Sequence, residues 1–186
     1  MLINEKEIKG VFEVQLEPIT DRRGFFMRAY DENIFKEYGL HRHWVQESHS
    51  LSVERGTIRG FHFQFPPYAE TKLIRVVTGE ILDIFVDLRK GSSTFGEWGN
   101  IHLSGENKKM IYIPRGFAHG FCTLSPECYV IYKVDNYYSP ENEGGLIWND
   151  SDLQVEWPVS DPVLSSRDAR AQTFKEFVNL YGALEA

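Results

Sequence analysis

Short runs of alternating apolar and polar residues fill most of the chain, and turn residues separate them. A period of two sends successive side chains to opposite faces, so each run predicts a strand. Residues 8–18 (IKGVFEVQLEP) give the first, ending at Pro18. A turn at 20–24 leads to a short strand at 25–30. Residues 31–39 break the pattern. Asp31 offers a cap and Gly39 a stop, which predicts a short helix between them. Strands are predicted again at 43–53, 57–65, 71–78, 80–88, 97–104 and 108–114, then one running to Leu124 and another at 128–135. The tail is looser, with a terminal helix predicted at 172–184. Many short strands at regular spacing predict an all-β sandwich or barrel. No linker, repeat or low-complexity stretch divides residues 1–186, so one domain is expected.

The stretch Ile58–Gln64 stands out within this pattern. It places a cation (Arg59), a glycine, a lone histidine (His62) and an amide within seven residues. On a strand, residues 58, 60, 62 and 64 share one face, and Phe61 and Phe63 share the other. Phe61, Phe63 and Phe65 read as core. His62 is therefore expected to face away from them, toward a cavity or a second layer. A strand histidine is more often a hydrogen-bonded structural residue than a base. Here Arg59 and Lys72 lie close by, and a carboxylate downstream would fix the tautomer a general base needs. Arg23, Arg59 and Lys72 have an ordinary reading as surface ion-pair partners. Their alternative is to converge on a diphosphate and a developing oxyanion, to which guanidinium forks and a lysine point charge are suited.

Composition narrows the function classes. The chain carries 20 Lys+Arg against 27 Asp+Glu, a formal net charge of -7, which argues against a bulk nucleic-acid binder. Aromatics reach 14%, in keeping with a β-rich fold. The two cysteines, Cys122 and Cys128, form no disulfide framework or CxxC pattern, and the first residues show no apolar signal region. A reduced, cytoplasmic protein without membrane association is expected. Neither G-x-S-x-G, G-x-G-x-x-G nor a P-loop is present. A metal site of the H-x-H kind is incomplete at His62-Phe63-Gln64. His41-Arg42-His43 has the spacing but follows the predicted helix without carboxylate support nearby in sequence.

A set of motifs then points one way. They are Asp21-Arg-Arg23-Gly-Phe-Phe, Ile58-Arg-Gly-Phe-His62-Phe-Gln, Thr71-Lys72-Leu-Ile-Arg-Val, Ile113-Pro-Arg-Gly-Phe-Ala-His119, Tyr132-Lys, Tyr137-Tyr-Ser-Pro-Glu-Asn-Glu143 and Leu164-Ser-Ser-Arg167-Asp168. In this order, over about residues 10 to 170, the chain resembles the dTDP-4-dehydrorhamnose 3,5-epimerases of deoxysugar synthesis. The resemblance implies a cupin-type β jelly roll (double-stranded β-helix), a homodimer, and no metal or cofactor. It implies a nucleotide-diphosphate 4-keto-6-deoxyhexose as substrate. The C4 ketone of such a sugar acidifies the protons at C3 and C5. In the resemblance His62 is the base, Asp168 its orienting carboxylate, Lys72 the cation at the C4 oxygen and Tyr132 the acid on the opposite face. Arg23 and Arg59 match diphosphate or nucleotide contacts. His119, Tyr138, Glu143 and Arg167 match other positions lining the substrate.

Two positions depart from the family pattern. Arg28 stands where a glutamate typically accepts the thymine imide N–H, and Gln46-Glu47-Ser48 replaces Gln-x-Asn. Arginine has no acceptor to offer an imide. These departures raise an alternative in which the sugar is carried by CDP or GDP. Separately, relatives with the same His–Asp–Lys–Tyr set epimerise C3, C5 or both, so a 3- or 5-epimerase is a further alternative. Two readings of other classes stand beside the epimerase. One is a non-catalytic sugar-nucleotide-binding cupin, disfavoured by the complete His62, Lys72, Tyr132 and Asp168 set. The other is a metal-dependent cupin.

Overall fold

The computed structural model describes residues 1–185. In chain order the first strands are β1 (Leu2–Glu5), β2 (Phe12–Gln15), β3 (Ile19–Asp21) and β4 (Gly24–Phe26), followed by helix α1 (Glu32–Glu37). Then come β5 (Gln46–Ser52), β6 (Ile58–Gln64), β7 (Lys72–Thr78), β8 (Glu80–Asp87), β9 (Trp98–Ser104), β10 (Lys109–Ile113), β11 (Phe117–Thr123) and β12 (Cys128–Val134). Strand β13 (Glu143–Gly145) and helix α2 (Phe174–Tyr181) complete the fold.

Two antiparallel sheets face each other. One runs β1-β2-β10-β7-β12-β5 and the other β13-β6-β11-β8-β9. From β5 to β8 successive strands alternate between the sheets, which is the jelly-roll winding. The predicted fold class is correct. One end of the space between the sheets is filled by apolar side chains, including Ile81, Phe85, Leu103, Ile111 and Val130. Each outer face has its own cover. Helix α1 lays Phe35 over Val14, Leu73 and Tyr112. Helix α2 lays Phe177 over Phe61, Phe63 and Val86. With both outer faces closed and one end plugged, the other end of the sandwich is left for a pocket.

The two helices form where local signals agree. Asp31 caps α1 by accepting from the Asn33 N–H at 3.1 Å. Thr173 and Glu176 make a reciprocal capping box on α2. Both predicted helices are present, and the second is shorter than the 172–184 expected. The N-terminal region differs more. Residues 8–18 are not one strand. The backbone turns at Gly10, where φ is +91°, and pairs Leu2–Glu5 with Phe12–Gln15. The short β1 escaped notice because only Ile3 of its four residues is buried. Residues 19–26 form a hairpin about Arg22 and Arg23, and Met27–Tyr30 leave the strand to pack beside α1. That hairpin exposes Ile19 by 73% and Phe26 by 66%.

Candidate active site

The open end of the sandwich holds a cavity of about 700 Å³. Its two walls are the two sheets. Gln46 and Ser48 on β5, Lys72 on β7 and Tyr132 on β12 line one side. Arg59, His62 and Gln64 on β6, His119 on β11 and Glu143 on β13 line the other. Tyr138, Arg167 and Asp168 complete the lining from loops.

A register change in β6 builds the second wall. His119 pairs with His62 and Phe121 with Arg59, so β6 spends three steps where β11 spends two. The extra residue is a bulge, and it inverts the parity of the strand. Simple alternation groups Ile58 with His62. The bulge instead puts Arg59 and His62 on the pocket face together, while Phe61 and Phe63 stay in the outer core. Gly60 makes this possible. A Cβ there would lie 2.5 Å from Gly120 Cα and 2.7 Å from the His119 carbonyl oxygen, and φ is +127°.

His62 Nε2–H donates to Asp168 Oδ1 at 2.7 Å. That bond fixes the tautomer and leaves Nδ1 as the basic nitrogen. Asp168 opens a 3-10 turn, Asp168–Arg170, and its N–H donates to Ser165 Oγ at 3.0 Å. Burial works to raise the Asp168 pKa, but bonds from His62, Ser165 and the Gly60 N–H outweigh it and hold the carboxyl below its usual range. His119 makes a second pair, donating from Nε2 to Asp83 Oδ2 at 2.8 Å. Asp83 is fully buried on β8, behind the His119 ring that lines the pocket. Its desolvation pushes its pKa up, against the opposing charges of His119 and Lys72.

At the rim, Glu143 Oε2 accepts from both Tyr138 Oη and Arg167 Nη1, each at 2.7 Å. Burial opposes its ionisation, and these two bonds more than compensate, leaving its pKa lowered. Arg59 is anchored across to β5, donating from Nε to Ser52 Oγ at 3.1 Å. Gln46 Oε1 accepts the Tyr138 N–H at 2.8 Å, tying the rim to the first sheet.

Eleven of the thirteen residues singled out from the sequence line this one cavity. Arg23 and Arg28 do not. Arg23 pairs with Asp21 in the exposed hairpin, and Arg28 lies 3.6 Å from Asp31. Both lie between β2 and β5, on a stretch that adds no strand to the two facing sheets. Sequence reasoning passed over Glu70 and Asp83, and it noted the Gln64 amide without giving it a role. Asp83 had a visible signal, an acid between Ile81 and Phe85 at inward-facing spacing in an apolar strand. His41 also differs from expectation, since Glu32 of α1 comes within 3.5 Å of it. Among the described residues no three His, Cys, Asp or Glu side chains cluster as a metal site.

The model of the dTDP-4-dehydrorhamnose 3,5-epimerase family matches residues 5–176. A Shigella flexneri dTDP-4-dehydrorhamnose 3,5-epimerase is 45% identical over 94% of this chain and 96% of its own. Among solved structures, a Bacillus anthracis enzyme of that name with TDP and PPi bound is 43% identical, with a TM-score of 0.91 over 93% of this chain and 99% of that one. A Legionella pneumophila 3,5-epimerase in complex with dTDP-4-keto-L-rhamnose is 37% identical, with a TM-score of 0.90 over 99% of this chain and 97% of that one. With the family model spanning nearly all of the sandwich and its pocket, the chain belongs to the dTDP-4-dehydrorhamnose 3,5-epimerase family.

Proposed function

We propose that the chain epimerises the carbons flanking the C4 ketone of a dTDP-linked 4-keto-6-deoxyhexose, by proton transfer through an enolate. One observation carries this reading: His62, held by Asp168, stands on one sheet, Lys72 and Tyr132 stand on the other, and all face one cavity. Epimerisation needs that division. A base takes the proton on one face of the ring, and an acid returns one on the other. His62 Nδ1 removes the proton from the carbon beside the ketone, and the electron pair moves onto the C4 oxygen. Lys72 carries the positive charge that stabilises it there. Tyr132 delivers a proton from the far wall to the same carbon, which inverts it. Asp168 holds the imidazole and stabilises the imidazolium formed.

Arg59, with Arg167 at the rim, suits the diphosphate. The alternative of another nucleotide rested on Arg28 and Ser48 together. Relatives of known structure at 43% and 37% identity hold TDP and dTDP-4-keto-L-rhamnose, so dTDP is the nucleotide favoured. We read the chain as one domain that works as a homodimer. The hairpin that exposes Ile19 and Phe26 supports this, because a second copy covering it would also give Arg23 a pocket to reach. Cys122 and Cys128 are both buried and unpaired, in keeping with the cytoplasm. Among the described residues no helix is long and apolar enough to cross a membrane.

The test is incubation with dTDP-4-keto-6-deoxyglucose in D₂O, reading label by NMR. Deuterium at C3 and C5 is the expected result. Label at one carbon only would narrow the reading to a single epimerisation. No label with dTDP, CDP or GDP sugars would overturn it.

A further inference from the structure

Lys72 does not enter the pocket alone. Its ammonium lies 3.2 Å from Glu70 Oε1, and the two side chains are only 11% and 12% exposed. Glu70 is itself held. Gln64 Nε2 donates to Glu70 Oε2 at 3.0 Å. The same amide group reaches the Tyr68 and Tyr137 carbonyls at 2.9 and 3.1 Å, and its Oε1 accepts the Ser139 N–H at 2.7 Å. Gln64 is buried and sits two residues after His62 on β6. A continuous chain of contacts therefore runs from the strand of the histidine to the ammonium on the facing sheet.

Lysine is a point charge on a flexible four-carbon stem. Oxyanion stabilisation depends on donors fixed in advance where charge develops, because no reorganisation is then needed during the reaction. A nearly buried ammonium also needs a partner. Asp83, the other carboxylate whose charge reaches Lys72, is bonded to His119. That leaves Glu70 as the group in direct contact with the ammonium. We propose that Glu70 is a positioning residue of the reaction, holding Lys72 where charge builds on the C4 oxygen, with Gln64 setting Glu70 from the strand of the base. This rests on the role given to Lys72 above. The plainer possibility is an ion pair that only pins the loop before β7.

Glu70→Ala and Glu70→Gln, each made in the wild-type and Lys72→Met backgrounds, separate the two. The expected result is a fall in kcat of about thirtyfold for Glu70→Ala, with KM changed by less than about threefold, and a smaller fall for the isosteric Glu70→Gln. Adding Glu70→Ala to Lys72→Met, followed by long deuterium wash-in, should change the residual rate by less than about twofold, since residues acting through one another are not additive. Melting temperature is followed in every variant. Wild-type kcat in both Glu70 variants, or the same loss in both backgrounds alongside lowered melting temperature, would overturn the positioning role. Absence of wash-in by the wild-type chain would instead sink the epimerase reading itself.

Discussion

His62 and His119 are direct cross-strand partners, and each donates from Nε2 to a carboxylate at nearly the same distance, 2.7 and 2.8 Å. Their surroundings separate them. The His62 side chain is 31% exposed and His119 only 11%. Asp168 is met by several donors that hold its pKa down. Asp83 is wholly buried, and its Oδ1 has no hydrogen-bond partner among the described residues. Burial raises its pKa. A short histidine–carboxylate distance therefore does not by itself mark a base. What separates the two pairs is the greater exposure of His62 and the donors that meet Asp168 but not Asp83.

Four measurements would break or sharpen this contrast. The largest effect is expected for His62→Ala, with kcat falling by about 10³–10⁴-fold and solvent deuterium wash-in lost. Exchange at the wild-type rate would move the base elsewhere. Asp168→Asn keeps the size of the side chain but loses the charge that steadies the imidazolium. A loss in kcat of about 10²–10³-fold is expected, with KM nearly unchanged. His119→Ala should cost only about tenfold, since the group is a fixed donor in the wall. A loss equal to that of His62→Ala would erase the distinction between the pairs.

The smallest effect concerns stability, and the two carboxylates should differ in sign. Asp168 has a lowered folded pKa, so its contribution is present above the unfolded value of about 4 and is lost as pH falls through the folded one. Asp83 has a raised folded pKa, so its contribution declines as pH rises from about 4 upward. Denaturant titrations of Asp168→Asn and Asp83→Asn against wild type, between acid and neutral pH, read this directly. The wild-type advantage should grow with pH for the first pair and shrink for the second, by about 1 kcal/mol. Parallel trends would refute the contrast.

Much of this was legible beforehand. The alternation over 71–78, 80–88 and 128–135 placed β7, β8 and β12 within a residue or two. Strands buried on one face write their register into the sequence, since a one-residue slip would expose every apolar side chain. The region before α1 was read less well. Its strands span three or four residues each, and the period is too short to separate a hairpin from a single strand. The catalytic candidates were found through motifs, and those motifs could not reveal that Arg23 and Arg28 sit away from the pocket of their own chain.

The stretch 58–64 divides the two kinds of information. By itself the sequence determined that it is a strand, that Phe61 and Phe63 are core, and that His62 faces away from them. Those follow from local periodicity and apolar burial. Only the tertiary structure decided that Arg59 joins His62 in the pocket, because the parity change depends on Gly60 meeting Gly120 on a strand some sixty residues away. Only it decided which carboxylate each histidine receives, since Asp168 and Asp83 arrive from a distant turn and from the facing stretch of β8. Burial then set those two carboxylates apart, and burial belongs to the packed sheets rather than to any residue in the chain.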